Sequence, residues 1–324
     1  MTYKESIPEI INEANNKNWI HVFFIVNPIT VIVSRMIIEK YNINKKNIKI
    51  FSFRNTDTSL IDFSVKRIKT GNYDRYLEKF FWYSPTSRFI TKEVEKRNTN
   101  FILYTSWLYL QAENLLKSKY SRGHIYIEEG QHSYMNIKEF DLKKVNLLDK
   151  LKRNWKNRYS EEDEVGFYYR SDSSCVIGIS NDIFPAIKSD KRVILSNIDL
   201  LKKYYKPKLK NIKTIGLTCS SRRLEKNEWA KMLISVIKRM KNGGVIKLHP
   251  SFTVSDQIKN EIIDLIHSYN DKKIKICPND VILELEMLYE KKSIIGYQTS
   301  LSKYCLIFGS NFEQIDFRAI KLKK

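Results

Sequence analysis

Acidic, imidazole and hydroxyl side chains stand at three places where a short apolar run ends, and each could move a proton or hold a phosphate. Glu128-Glu129-Gly130 follows the run 124–127. Two adjacent acids at a strand end repel one another, and in a cleft mouth that raises the proton affinity of one of them. Gly130 lets the backbone turn sharply, so a carboxylate held there can take a proton from an attacking hydroxyl. The same residues also suit an ordinary acidic turn. His249-Pro250 follows the run 245–248. The proline biases His249 toward extended backbone, and an imidazole there can give a proton or a hydrogen bond to a phosphate oxygen. A buried, hydrogen-bonded histidine fits equally well. Lys247 adds positive charge nearby. Gly296-Tyr297-Gln298-Thr299-Ser300 follows the run 293–295. Hydroxyls and N–H groups where a helix starts make an anion site, and a plain N-cap at Thr299 or Ser300 is compatible with it. Glu284-Leu285-Glu286 lies early in a helical pattern, where a carboxylate can bind a ribose diol or simply complement the helix dipole.

These residues need elements to place them. Residues 19–26 read as a buried strand, broken by Asn27-Pro28 and followed by a helix over 29–41. Further strands are expected at 49–53, 101–104, 124–127, 175–180 and 193–196, with a helix over 108–117. The charged, proline-bearing stretch 202–210 breaks the pattern and marks a boundary. Beyond it, strands at 214–219, 245–248, 273–277 and 293–296 alternate with helices at 224–240, 254–269 and 281–289. Such alternation predicts an α/β fold with parallel sheets. The expectation is two Rossmann-like domains facing a cleft, residues 1–206 and 207–324, with the last residues packing back on the first domain. Ligands of such sheets sit beyond the carboxyl ends of the strands. No G-x-G-x-x-G or P-loop pattern occurs among only 10 glycines.

The 324 residues are 42% hydrophobic and carry a net charge of +21, so the chain is globular and its surface favours anionic partners. Part of that charge is a Lys/Asn/Ile bias that spreads over the whole chain, as in residues 42–49. A basic nucleic-acid-binding protein is therefore supported by charge alone, and the expected partners include no nucleic acid. Cys175, Cys219, Cys277 and Cys305 lie far apart in apolar contexts and read as reduced core residues of a cytoplasmic protein. The five histidines show no zinc-ligand spacing. No run reaches the ~18 apolar residues of a membrane span, and residues 1–18 do not resemble a signal peptide. Residues 143–159 form a basic pattern with Leu147, Leu148, Leu151 and Trp155 at helical spacing. A solvated helix is one reading, and peripheral contact with the anionic inner face of the cell membrane is the other.

The order acid-acid-glycine, then His-Pro, then a hydroxyl pair, each at a strand end and divided between two domains, resembles the bacterial sialyltransferases of the two-lobed GT-B type. These include lipooligosaccharide and capsule polysialic acid enzymes. Their motifs are D/E-D/E-G in the N-terminal domain, with HP and a serine/threonine pair in the C-terminal one. The resemblance covers most of the chain in layout but only these short motifs in identity. Thr299-Ser300 departs from the usual adjacent serines while keeping both hydroxyls.

The resemblance implies an acceptor-binding N-terminal domain and a CMP-binding C-terminal domain. It makes Glu129 the general base and His249 the general acid or electrostatic partner of the departing phosphate. Thr299 and Ser300 would hold that phosphate, beside Lys247 and Pro250. Glu284 would bind the ribose, with Glu286 the competing assignment. Gly216 and Ser220 would approach the nucleotide, and Asn27, Glu128, Gly130 and His132 would line the acceptor side. The implied reaction is an inverting, metal-independent transfer of sialic acid from CMP-sialic acid to a hydroxyl of a surface glycan (lipooligosaccharide, O-antigen or capsule). A related GT-B transferase using CMP-Kdo or CDP-glycerol is the alternative.

Overall fold

A computed structural model of the chain describes residues 8–53, 56–69, 84–134, 172–185, 187–218, 226–249, 256–269, 273–297 and 299–315. The basic segment 143–159, Cys219, Ser220, Pro250, Gln298 and the last residues, 316–324, lie outside them. The chain divides into two compact units, Met1–Tyr204 and Tyr205–Lys324. Among the described residues, no helix is long and apolar enough to cross a membrane.

The first unit is built on a seven-stranded parallel sheet. Its strands are β1 (Ile20–Ile25), β2 (Ile48–Phe53), β3 (Val65–Ile68), β4 (Phe101–Thr105), β5 (Ser121–Ile127), β6 (Cys175–Gly178) and β7 (Arg192–Ile194). They lie in the order β3-β2-β1-β4-β5-β6-β7. The helices are α1 (Glu9–Asn16), α2 (Pro28–Lys40), α3 (Pro85–Glu95) and α4 (Leu110–Leu116). Every residue of β1 is buried, which explains why it reads as an unbroken apolar run rather than an alternating one. Ile20, Val22 and Phe24 pack with Leu103, Tyr126 and Val176, and with Ile90, Val94, Ala112 and Leu115 of α3 and α4. The helix α2 lies between β1 and β2, on the other side of the chain reversal. Right-handed crossovers therefore put α2 and the α3–α4 pair on opposite faces of the sheet. The chain changes direction at β1, so the crevice of this unit opens where β1 and β4 end.

Arg35 fastens the far end of α2. It is 1% exposed, ion-paired to Glu39 at 2.6 Å and to Asp62, and its guanidinium lies 3.6 Å from the centre of the Tyr204 ring. Lys203 and the Tyr204 hydroxyl reach the same Glu39, each at 2.6 Å.

The second unit repeats the plan with five parallel strands: β8 (Thr214–Leu217), β9 (Gly244–Lys247), β10 (Ile274–Ile276), β11 (Ser293–Gly296) and β12 (Asn311–Gln314). Their order is β10-β9-β8-β11-β12. The helices are α5 (Lys226–Arg239), α6 (Asp256–Tyr269), α7 (Leu283–Tyr289) and α8 (Ser300–Ile307). One core joins Trp229, Met232, Leu233 and Val236 of α5 with Ile262 and Ile266 of α6 and with Ile246, Ile274 and Ile295 of the sheet. The crevice of this unit opens where β8 and β11 end. Cys175, Cys277 and Cys305 are buried free thiols, and burial pushes them up to about 12, 11 and 12.

His21 is fully buried in β1, its Nδ1 2.9 Å from the Tyr104 hydroxyl. Burial lowers its pKa to about 4. In the unfolded chain an imidazole titrates near 6.5, so between about pH 6.5 and 4 the unfolded state holds a proton that the fold does not. Stability must therefore fall as pH drops through that window, by about 3 kcal/mol in full. Urea unfolding midpoints of wild type and His21→Asn, followed from about pH 7 to about pH 4, test this. The wild type should show the steeper loss, and parallel curves would refute it.

Candidate functional site

In the first unit, the residues after β1, β4 and β5 meet. Asn27 caps α2: its Oδ1 accepts from the Thr30 N–H at 3.0 Å, while Thr30 Oγ1 accepts from the Asn27 N–H at 3.1 Å. This reciprocal arrangement satisfies two N–H groups at the helix start. The Asn27 amide then has its NH2 to give, and it gives it to Glu129, donating to the carbonyl oxygen at 2.5 Å and to Oε2 at 3.3 Å. The Glu129 N–H donates to Ser133 Oγ at 2.9 Å. The other carboxylate oxygen, Oε1, lies 2.7 Å from His132 Nδ1. Gly130, at φ 115°, turns the chain so that Gln131–Tyr134 folds back over the strand end. Trp107, just past β4, meets the His132 ring edge-on at 5.2 Å.

Glu128 points elsewhere. It is fully buried, and its Oε2 accepts from the Ile179 N–H at 2.7 Å while Oε1 accepts from the Tyr134 hydroxyl. It fits because residue 178 is glycine: a Cβ there would stand 2.8 Å from the Glu128 Cβ. Glu128 therefore joins the end of β5 to the turn after β6.

In the second unit, His249 is exposed just past β9, and its N–H donates to Thr218 Oγ1 at 2.7 Å. Thr218, one residue past β8, also donates its own N–H to the Lys247 carbonyl at 3.2 Å, so it braces the two strand ends together. Thr299 is the N-cap of α8, its Oγ1 accepting from the Leu301 N–H at 3.2 Å, and Ser300 is the first helical residue, half-buried. His249 and Thr299 thus flank β8 on its two sides, on strand ends separated by two inter-strand spacings, about 10 Å.

Lys247, Gly216 and Glu286, expected on the nucleotide side, each have a structural duty. Lys247 Nζ donates to the carbonyls of Pro278, Asn279 and Val281, each at 2.9 Å, and so holds the loop before α7. Gly216 sits inside β8, where a Cβ would stand 2.6 Å from Val236 and 2.7 Å from Met240. Its missing side chain makes room for α5. Glu286 is 1% exposed; Oε1 accepts from the Tyr205 hydroxyl at 2.5 Å and the Lys208 N–H at 2.8 Å, and Oε2 from the Leu209 N–H at 2.9 Å. Glu284, half-buried one helical position after the start of α7, is not consumed in this way. Burial raises its proton affinity, with Lys247 opposing.

Sequence reasoning overlooked Trp107, Ser133 and Thr218. Each lies one to six residues past a strand, and Thr30 carried a readable signal, the capping pattern Asn27-x-x-Thr30.

No protein-family model matches the chain, and no curated protein matches it. Among solved structures, the chain is similar to the Methanocaldococcus jannaschii UDP-GlcNAc 2-epimerase in complex with UDP-GlcNAc and UDP. That match has 13% identity and a TM-score of 0.51, covering 90% of this chain and 83% of the other. A Listeria monocytogenes protein proposed to be a UDP-N-acetylglucosamine 2-epimerase matches with 10% identity and a TM-score of 0.50, covering 91% and 78%. A Rickettsia africae glycosyltransferase matches at 13% identity and a TM-score of 0.43, covering 91% and 79%. The fold is of the GT-B type, two Rossmann-like units in tandem. The structures named here are not sialyltransferases.

The contrast between the two glutamates of α7 is testable. Glu286→Ala leaves three donors of the second unit without their acceptor and should lower stability by about 3 kcal/mol. Glu284→Gln should unfold at the wild-type urea midpoint yet bind nucleotide at least tenfold more weakly by calorimetry. A Glu284→Gln variant with wild-type nucleotide affinity would remove Glu284 from the site.

Proposed function

We propose that the chain is an inverting glycosyltransferase that moves sialic acid from CMP-sialic acid to a hydroxyl of a bacterial surface glycan, at the cytoplasmic face of the membrane. The observation that carries this is the held carboxylate of Glu129 at the strand ends of one Rossmann-like unit, with His249 and the Thr299-Ser300 pair at those of the other. That order resembles the D/E-D/E-G, HP and hydroxyl-pair motifs. In the proposed reaction the Glu129 site takes the proton of the acceptor hydroxyl. The freed oxygen bonds the anomeric carbon, and the bond from that carbon to the phosphate oxygen breaks, leaving its electron pair on CMP. His249 gives a proton or hydrogen bond to the departing phosphate, and Thr299 and Ser300 hold its oxygens. A single displacement inverts the anomeric centre. Orientation and electrostatic stabilisation supply the acceleration, because CMP already leaves well.

A second reading takes a UDP-linked N-acetylhexosamine as the donor, favoured by the fold shared with the Methanocaldococcus jannaschii epimerase bound to UDP-GlcNAc. A donor screen separates the two. Purified protein is given CMP-sialic acid, CMP-Kdo, CDP-glycerol or UDP-GlcNAc with a mixed set of glycan acceptors, and nucleotide release is measured. Release of CMP from CMP-sialic acid alone is expected. Glu129→Ala should reduce transfer by about 10²–10⁴ while retaining CMP binding. His249→Ala should damage both. Wild-type transfer by Glu129→Ala would remove the base assignment, and turnover of UDP-GlcNAc alone would replace the donor.

A further inference from the structure

We infer that the proton of the acceptor hydroxyl is taken by His132 and that Glu129 acts through it, as a positioning residue. This deepens the proposed transfer and rests on it.

The carboxylate of Glu129 is poorly placed to meet a substrate itself. The residue is 5% exposed, and one oxygen faces Asn27 Nδ2 while the other faces His132 Nδ1. Its main chain is held as well, by Asn27 on the carbonyl and by Ser133 on the N–H. To reach an incoming hydroxyl, the side chain would have to abandon both contacts and leave a buried carboxylate without its donors, a costly rearrangement.

The part of the pair that reaches solvent is the imidazole. The His132 side chain is 47% exposed against 4% for the carboxylate it pairs with. Gly130 reverses the chain three residues earlier, and the short helical turn Gln131–Tyr134 brings the ring back over the strand end. Trp107 borders the ring from the end of β4, with its plane at 83° to the imidazole. A neutral imidazole has one N–H and one lone pair. A carboxylate can only accept, so the Glu129 contact puts the hydrogen on Nδ1 and leaves the basic lone pair on Nε2. A carboxylate that fixes the tautomer and orientation of an imidazole base is the logic of the serine-protease triad, here reached with two residues three apart on one turn.

The step balances simply. The acceptor O–H bond breaks and its proton goes to His132 Nε2. The oxygen's electron pair forms the new bond to the anomeric carbon as the phosphate departs with the pair of the broken bond. The imidazolium stays beside the Glu129 carboxylate until the proton is lost to solvent.

The tests use the full-length protein. In histidine-¹⁵N-labelled protein, long-range proton–nitrogen spectra, with His132 assigned by loss of its signals in His132→Gln, should show the Nδ1–H form. Glu129→Gln should shift the ring toward Nε2–H. In kinetics with the donor that wild type turns over, His132→Ala should lose about 10²–10⁴ in kcat with donor KM changed less than about threefold. Added imidazole should restore at least about tenfold of that loss. An Nε2–H ring in the wild type, or near-wild-type kcat in His132→Ala, would overturn the inference and return the base to Glu129. If wild type turns over no sugar nucleotide, the transfer reading fails. The pair itself is then judged by carbethoxylation: rapid reaction of His132 with diethyl pyrocarbonate, slowed in Glu129→Gln, supports it, and no difference between the two overturns it.

Discussion

One side-chain amide organises the first unit. Asn27 Oδ1 closes the start of α2, and Asn27 Nδ2 binds Glu129 at the end of β5. Between the two strands lies β4, so the amide spans the point at which the sheet changes winding direction. The chain must leave a parallel sheet at each carboxyl end, and each exit strands polar main-chain groups. Here the groups that answer that need also fix a carboxylate. The helix cap and the Glu129 carboxylate thus share one side chain, and a change at Asn27 disturbs both.

Several buried charges in this chain are held by main-chain and hydroxyl groups as well as by opposite charge. With 57 Lys and Arg against 36 Asp and Glu, carboxylates are outnumbered. The buried ones nonetheless collect N–H and hydroxyl donors: Glu128 from Ile179 and Tyr134, Glu286 from Tyr205, Lys208 and Leu209. Lys292 is 2% exposed; it donates to the carbonyls of Leu209 and Ile212 at 2.8 and 2.9 Å and pairs with Glu290 at 2.7 Å. Several donors shared over one carboxylate compensate its lost hydration better than a single ion pair would. Both Glu286 and Lys292 grip residues 208–212, so the entry of the chain into the second unit is fixed by two buried charges of opposite sign.

The central strands were legible because burial on both faces leaves an apolar run, as in β1 and β4. Two of the edge strands, β3 and β12, were not. Val65-Lys66-Arg67-Ile68 of β3 and Asn311-Phe312-Glu313-Gln314 of β12 carry charge or amide groups that keep an edge from pairing further, and that erases the apolar signal. The start of α3 was signalled by Ser84-Pro85, an N-cap followed by proline, but the weak strand before it hid the context. The positions of Glu129 and His249 at strand ends were readable; the duties of their neighbours were not. Whether Glu128 or Glu129 turns inward depends on β6 lying beside β5, a fact of strand order. The partners of Lys247 and Glu286 come from loops about 30 and about 80 residues away, as long-range contacts that local pattern does not encode.

The two units hold Glu129 and His249, the residues of the proposed reaction, by different means. Glu129 is fixed at its main chain and at both carboxylate oxygens, so the direction in which the Glu129–His132 pair faces is set before anything binds. His249 is anchored through its N–H to Thr218, while its side chain lies exposed. Attack on an anomeric carbon tolerates little error in angle, and a preorganised base loses no free energy to reorientation in the transition state. The capping of α2 by Asn27 is the local device that gives the proposed base this rigidity.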